Sequence, residues 1–160
     1  MAVNVIPTYD MEAVRGIVVE PFIWDRISDG VGSEDYYPTF SPNNQWLLIE
    51  RNGENIGVIY VHCDTSCSIG FHPYLKKEHI KECRSMMQSF FNWFNSLPSS
   101  IIKVNAVIPC CFKSALNFAK KSGFQQEGIS RSSFHHKGKT VDRVMLGITR
   151  EEIEELLWAV

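Results

Sequence analysis

The 160-residue sequence has little excess charge of either sign and no long apolar run. Sixteen Lys and Arg residues against eighteen Asp and Glu residues give a formal net charge of −2. General nucleic-acid binding relies on a surplus of positive charge, so this composition disfavours a nucleic-acid partner. No uninterrupted apolar segment approaches the roughly 20 residues that cross a bilayer, so we expect no membrane partner.

Cysteine is present, but not in a pattern that is typical of disulfides. The five cysteines are an odd number, Cys110 and Cys111 are adjacent, and no Cys-x-x-Cys occurs. We therefore expect free thiols in a reducing compartment. The first ten residues show neither the basic start nor the apolar run of a secretory signal, which predicts a cytoplasmic protein.

Apolar residues are abundant enough for a substantial core. They make up 44% of the chain, with ten Phe and four Trp, while charged residues make up 21%. These fractions are ordinary for globular proteins. A chain of this length most often forms one domain, so we predict a single domain over residues 1–160.

Periodicity and turn residues predict an α+β domain. Strands are expected at residues 2–7, 46–50, 56–62, 68–71, 101–108, 124–134 and 140–148, with helices at about 13–19, 80–94, 112–121 and after 149. Asn52-Gly53 favours a tight hairpin turn, Asp10 suits a helix N-cap, and Thr149 with Glu152 has the capping-box spacing. We expect a mixed, mostly antiparallel sheet of about six to seven strands, flanked by helices.

Residues 67–97 are the stretch around which the chain is organised. The strand at 68–71 is expected to end at Pro73, because proline cannot donate to a strand ladder. The helix after it has one apolar stripe, formed by Ile80, Cys83, Met87, Phe90, Phe91 and Phe94. Lys76 and Lys77 precede this helix, and a helix N-terminus with cations favours an anion such as phosphate. The alternative is that both lysines are solvated and bind nothing.

Residues 123–152 resemble the C-terminal half of the ribosomal-protein alanine N-acetyltransferase group, in the GCN5-related N-acetyltransferase (GNAT) superfamily. The matching residues are Gly123, Phe124, Glu127, Gly128, Arg131, Gly138, Asp142 and the run from Gly147 to Glu152. The order of strands and helices over the chain is also similar to this superfamily. Further segments resemble small phage-encoded GNAT-like proteins, some of them linked to head assembly: residues 21–30, His72-Pro73, Trp93-Phe94 and Ile108-Pro109.

The resemblance implies transfer of an acetyl group from acetyl-CoA to an amine, either a protein N-terminus, a lysine or a small amine. It places the CoA pyrophosphate at the turn 76–81 and the pantetheine arm along the strand 68–72. That strand would splay from the strand 101–108 and leave a slot between them. The CoA-binding residues that the resemblance assigns are Phe71, Lys76, Lys77, His79, Ile80 and Lys81.

Three usual parts of the superfamily's site are replaced in this sequence. Its phosphate loop has an Arg or Gln followed by two small residues, and these positions fall on Lys76, His79 and Lys81. Small residues let a phosphate approach the backbone closely, so side chains there predict weaker or rearranged phosphate binding. The Asn and the general-acid Tyr of many relatives fall on Phe112 and Ala119.

His72 and Glu127 are the candidate catalytic bases. His72 follows the slot strand, and an unperturbed histidine titrates near neutral pH. The alternatives are that His72 is a polar residue packed against Pro73 and that Glu127 forms a structural salt bridge with Arg131. His62 and Asp64 are weaker candidates for the same role.

Other reactive side chains point to no site of their own. The spacing of His62, Cys63, Cys67 and His72 matches no standard ligand pattern, so no metal is expected. Cys110 and Cys111 follow the proposed slot, but no neighbouring base can be named from the sequence, so spectator thiols are expected.

The alternative function is a catalytically inactive protein that keeps the scaffold, such as a phage head or virion component with phage structural proteins as partners. The replaced loop residues, Asn and Tyr favour it, because a fold does not fix a function. On this hypothesis the protein acts in the host cytoplasm or the virion. The aromatic segment 36–40, with Trp24 or Trp158, would then face the partner. The long loop 29–44 around it is either functional or a poorly ordered flap.

Overall fold

A computed structural model describes residues 2–159, except for the side chain of Trp158. The contact with a partner that is predicted for Trp158 therefore lies outside the described residues. In chain order the elements are β1 (Val3–Thr8), α1 (Met11–Val18), α2 (Pro21–Ile27), β2 (Asn44–Arg51), β3 (Glu54–Thr65), β4 (Ser68–Leu75), a 3-10 segment (Lys77–Glu82), α3 (Cys83–Asn95), β5 (Lys103–Pro109), α4 (Lys113–Lys121), β6 (Gln125–His136), β7 (Lys139–Thr149) and α5 (Arg150–Trp158).

The strands form one mixed sheet in the order β1-β2-β3-β4-β5-β7-β6. Neighbouring strands pair antiparallel, except for β4 and β5, which are parallel. This confirms the predicted α+β class and the mostly antiparallel sheet flanked by helices. None of the α-helices in the described part has the length and the apolar composition that a membrane span requires.

Two apolar clusters lie on opposite faces of the sheet. Successive strand residues point to opposite faces, and accordingly Trp46 and Leu47 of β2 belong to different clusters. The larger cluster includes Phe90 of α3 and Ile153 of α5, both fully buried. The smaller cluster includes Val14 of α1 and packs α1 and α2 against the other face. Each face of the sheet is thus covered by its own helices.

The local signals in the sequence act as predicted. The Asp10 carboxylate caps α1 by accepting a backbone hydrogen bond at 3.0 Å. Thr149 and Glu152 form both hydrogen bonds of a capping box at the start of α5. Asn52 and Gly53 have φ of 55° and 78°, as a type I′ hairpin turn requires.

The prediction that the strand ends at Pro73 is wrong, because β4 continues to Leu75. The Lys76 N–H donates to the Ile56 carbonyl in β3 at 2.9 Å. Peptide groups alternate between the two edges of a strand, so Pro73 points its missing N–H away from β3, toward β5. Pairing with β5 stops at Gly70, and the proline therefore interrupts no hydrogen bond of the sheet.

The helix α3 begins at Cys83 and follows a 3-10 segment, Lys77–Glu82. In this segment the His79 N–H donates to the Lys76 carbonyl at 2.9 Å, which is a three-residue step. Ile80 is 46% exposed, so including it in the buried stripe is wrong. The rest of the predicted stripe packs in or against the core: Cys83, Met87, Phe90, Phe91 and Phe94.

The long loop between α2 and β2 is held against the two N-terminal helices. The Arg15 Nε donates to the Tyr36 carbonyl, and the Trp24 indole donates to the Val31 carbonyl, each at 2.8 Å. Tyr36 and Phe40 pack against the smaller cluster. The aromatic rings of this loop and of Trp24 thus help to fix the loop beside the sheet.

Candidate functional site

The sheet splits between its two parallel strands. β4 and β5 pair over three residue pairs, from Ser68 with Lys103 to Gly70 with Asn105. Beyond Gly70 each strand continues, to Leu75 and to Pro109, without further pairing between them in the described structure. The prediction that these strands splay is confirmed, and we call the opening between them the fork.

The two edges that face the fork are poor in backbone donors. The Cys110 N–H donates to the Asp142 carbonyl in β7 at 2.8 Å, so the alternation of peptide groups turns Pro109 toward β4. Pro73 faces the fork from β4 by the same alternation. Each edge therefore lacks one N–H group, while Phe71 directs its carbonyl to the opening.

A cavity of about 450 Å³ fills the fork and extends between the helices on either side. Its wall is mainly apolar and includes Phe71, Ile80, Ala106, Ile108, Phe112 and Phe118. Polar groups are few, namely Arg26, His72, Tyr74 and Arg143. A concave, mostly apolar pocket with a few converging polar groups is the usual form of a small-molecule site.

His72 joins this cavity to a polar network that crosses three strands. Its Nε2 lies 3.0 Å from the Nε2 of His62 on β3. The Nδ1 of His62 lies 3.2 Å from Asp64 Oδ1, and Asp64 Oδ2 accepts a hydrogen bond from Asn105 Nδ2 at 2.9 Å. Asn105 is the last β5 residue that pairs with β4. The network thus lies at the apex of the fork.

A glycine makes room for this network. His62 is paired with Gly70 across β3 and β4. A Cβ atom at residue 70 would lie 2.2 Å from His62 Nε2, which is too close for any side chain. The missing side chain therefore lets the His62 ring lie across β4 and reach His72.

The environment keeps His72 uncharged at neutral pH. The pKa of His72 is lowered from 6.5 to about 4, mainly by burial and next by the neighbouring His62. Asp64 acts in the opposite direction, and Arg143 makes a smaller lowering contribution. A neutral imidazole can accept a proton. His72 is therefore in the protonation state that a base needs.

Two side chains of the predicted phosphate turn contact carboxylates of neighbouring segments. Lys76 Nζ lies 3.8 Å from a Glu20 carboxylate oxygen, and His79 Nε2 lies 3.5 Å from Glu54. The buried His79 Nδ1 has no hydrogen-bond partner among residues 2–159. Lys77, by contrast, is exposed, and so is Lys81, four residues later in the same 3-10 segment. These two lysines remain the cations of the turn that solvent reaches.

The structure brings together only some of the side chains that the sequence singles out. Phe71, His72 and Ile80 line the cavity, whereas Lys76, Lys77, His79 and Lys81 are not among its lining residues. Glu127 also lies outside the lining and pairs with Lys103 at 2.7 Å, so the predicted partner Arg131 is wrong. A register shift between Gln126 and Gly128 displaces Glu127 from regular pairing, which explains the change of partner.

Three polar contributors were missed by reasoning from the sequence. Arg26 and Arg143 line the cavity, and Asn105 anchors Asp64. They come from α2, β7 and β5, which are distant in the chain, so no local pattern could have identified them. No group of three or more His, Cys, Asp or Glu side chains is placed to hold a metal ion within the described residues.

Known proteins that are similar to this chain include N-acetyltransferases. No protein-family model matches the sequence. The uncharacterised N-acetyltransferase YokL of the SPbeta prophage, from Bacillus subtilis (strain 168), is 29% identical over 117 residues, or 69% of this chain. The chain spans 64% of the length of that relative.

Two solved structures have a similar fold over more than nine tenths of this chain. Spermidine N-acetyltransferase from Vibrio cholerae, in complex with CoA and spermine, has a TM-score of 0.78 at 14% identity, covering 95% of this chain and 98% of its own. The protein smu.2055 from Streptococcus mutans UA159 has a TM-score of 0.74 at 18% identity, covering 92% and 99%. This chain has the fold of the GNAT superfamily.

Proposed function

We propose that the protein transfers an acetyl group from acetyl-CoA to an amine, inside the fork between β4 and β5. The observation that carries this proposal is the position of His72, an uncharged imidazole on the wall of a cavity between two separated strands. The GNAT fold and the similarity to acetyltransferases support the same chemistry. Neither of them identifies the amine.

The strand edges in the fork suit the pantetheine arm of CoA. An extended ligand binds to an open strand edge through backbone hydrogen bonds, and Phe71 offers a carbonyl acceptor there. The apolar wall suits the hydrocarbon parts of the arm. For the pyrophosphate the fit is weaker, because Lys76 and His79 are engaged by Glu20 and Glu54. Contacts to phosphate would then come mainly from Lys77 and Lys81.

When bound, acetyl-CoA supplies a thioester whose carbonyl carbon is attacked by the amine nitrogen, so that a C–N bond forms and the C–S bond breaks. CoA leaves as the thiolate, and the proton that the amine loses converts it to the thiol. The protein has to hold the amine against that carbon and take the proton that the nitrogen loses. His72 is the group that takes it, because it lines the cavity and is uncharged.

The polar network determines which nitrogen of His72 is basic. Asp64 Oδ1 lies 3.2 Å from His62 Nδ1, and a carboxylate beside this nitrogen favours the tautomer that is protonated there. In this tautomer the His62 Nε2 carries no proton and accepts from the Nε2–H of His72. The Nδ1 of His72 is then the unprotonated nitrogen, and it makes no hydrogen bond with residues 2–159. The network therefore leaves His72 Nδ1 as the proton acceptor.

Calorimetry with CoA and with acetyl-CoA tests the proposal. We expect binding with a thermal shift, and weaker binding by a Lys77→Gln/Lys81→Gln variant. Lys137→Gln is the matched control, because this lysine is exposed in the β6–β7 turn and is not among the residues that line the cavity. The absence of heat and of a thermal shift at millimolar ligand would contradict the function.

A non-catalytic scaffold is the second candidate, and the ion pairs of the phosphate turn favour it. A turn whose Lys76 and His79 already bind carboxylates of the same chain is poorly prepared for a pyrophosphate. In that case CoA would not bind, and the aromatic loop between α2 and β2 would be the surface to test for a protein partner. The calorimetric experiment above separates the two candidates.

A further inference from the structure

The charged groups on the cavity wall indicate which class of acceptor amine the site suits. This inference rests on the function proposed above. Among the described residues that line the cavity, none is acidic, and two are arginines, Arg26 and Arg143. The other titratable lining groups are uncharged at neutral pH, because burial raises the pKa of the Tyr74 hydroxyl and lowers the pKa of the His72 imidazole. The wall is therefore cationic.

Arg26 lines the cavity beside two aromatic rings. Its guanidinium carbon lies 4.4 Å from the centre of the Phe22 ring and 5.1 Å from that of Phe112. Cation–π contacts of an arginine use the face of its guanidinium, whereas the N–H groups lie at the edge of the plane. Arg26 makes no ion pair or hydrogen bond with another residue in the part of the chain that the structure describes. A planar guanidinium with an available edge suits a carboxylate.

Arg143 adds a second guanidinium on the β7 side. Its Nε donates to Ser133 Oγ at 2.9 Å, which fixes the direction of the side chain. Its two terminal nitrogens have no acceptor within residues 2–159. Arg143 also contributes to the low pKa of His72, so its charge acts at the position where the amine would react.

The positive charge of the wall acts on both the reacting amine of an acceptor and the group at its other end. Positive charges lower the pKa of a nearby ammonium group and favour the neutral amine, which is the nucleophilic form. A second ammonium elsewhere in the acceptor would be repelled by the arginines, with no carboxylate on the wall to offset the repulsion. A carboxylate in its place would be attracted.

We propose that the acceptor is an amine that carries a carboxylate, and that Arg26 and Arg143 select it over polyamines. The arginines provide binding sites for the anionic end, and the reacting amine lies toward His72. Selection then comes from attraction of the correct acceptor and from repulsion of a dication.

The test uses pairs of acceptors that have the same chain length and differ only in the end group. Each ω-amino carboxylate, from glycine to 6-aminohexanoate, is compared with the diamine and the neutral alkylamine of the same length. Release of the CoA thiol gives kcat/KM for each. We expect the carboxylates to exceed the diamines by at least about tenfold at the best length.

Substitution of the arginines attributes the preference to this wall. Arg26→Gln and Arg143→Gln should each raise KM for the carboxylate acceptors by about tenfold relative to KM for the neutral alkylamines of the same length. Arg131→Gln, an exposed arginine outside the cavity lining, is the control and should keep the preference. Arg26 is itself exposed, so its substitution is compatible with folding.

The outcomes separate this inference from the function on which it rests. If CoA binds and the diamines are preferred, or if the arginine variants lose activity toward neutral amines equally, the acceptor class is wrong and the function stands. If CoA binds but no amine reacts, equilibrium binding of the same pairs in the presence of CoA ranks them, and equal affinities contradict the inference. If CoA does not bind, both proposals fail.

Discussion

The Nε2 atoms of His62 and His72 lie 3.0 Å apart, so one of the two nitrogens carries a proton and the other accepts it. Asp64 Oδ1 lies 3.2 Å from the Nδ1 of His62, and a carboxylate there favours a proton on Nδ1, which leaves the His62 Nε2 as the acceptor. The carboxylate on β3 thus influences the tautomer of His62, and through it the tautomer of His72 at the cavity.

Replacing His72 by Gln should lower kcat by about 10²- to 10⁴-fold, because the amine loses its proton acceptor. Binding of CoA should stay within about twofold, since the backbone edges of the fork are unchanged. His135→Gln is the control, because this histidine is exposed near the tip of the β6–β7 hairpin. Equal kcat values for His72→Gln and the parent protein would exclude His72 as the base.

Replacing Asp64 by Asn should lower kcat by at least about tenfold without changing CoA binding, because the amide no longer fixes the tautomers of the two histidines. Nitrogen-15 shifts of labelled imidazoles provide a direct readout. In the parent protein they should show His72 protonated at Nε2, and in the variant a mixture of tautomers. Asp35→Asn, on an exposed part of the loop, should leave both readouts unchanged.

The stability of the protein should decrease as the pH falls from about 7 to about 4, in part because of His72. Its pKa is about 4 in the folded chain and 6.5 when unperturbed, so in this range the unfolded chain binds a proton that the folded chain does not. This difference corresponds to about 3 kcal/mol at its limit below pH 4. Denaturant unfolding at several pH values should show a smaller decrease for His72→Gln. The same slope in both proteins would contradict the shift.

Replacing Glu127 by Gln should change kcat by no more than about twofold and the free energy of unfolding by less than about 1 kcal/mol. Glu127 is a candidate base by sequence, but its partly exposed ion pair with Lys103 lies outside the cavity lining. Kinetics with acetyl-CoA check the first value and chemical denaturation the second. A loss of kcat as large as that of His72→Gln would transfer the role of base to Glu127.

The sequence predicts those features that depend on neighbours in the chain. The turn at Asn52-Gly53, the cap at Asp10 and the capping box at Thr149 each involve residues at most three apart, and all three form as expected. The apolar stripe of α3 is likewise set by helical period. The resemblance to acetyltransferases then allows the fold and the splayed strands to be predicted.

Features that depend on which strands become neighbours were not predictable in this way. Whether proline ends a strand depends on what lies beside its missing N–H, and beside Pro73 there is the opening of the fork. Glu127 pairs with Lys103 instead of Arg131 because a register shift moves it out of regular pairing. Arg26 and Arg143 reach one cavity from elements more than a hundred residues apart.

The two prolines of the fork also bear on self-association. An open pair of strand edges within a sheet is a template on which another polypeptide strand could add and begin aggregation. A polypeptide needs a donor from every second residue of each edge, and Pro73 and Pro109 each withhold one. A ligand with only two amide groups, such as the pantetheine arm, does not need them. The prolines thus protect the opening against stray peptide strands and leave it accessible to a small thioester.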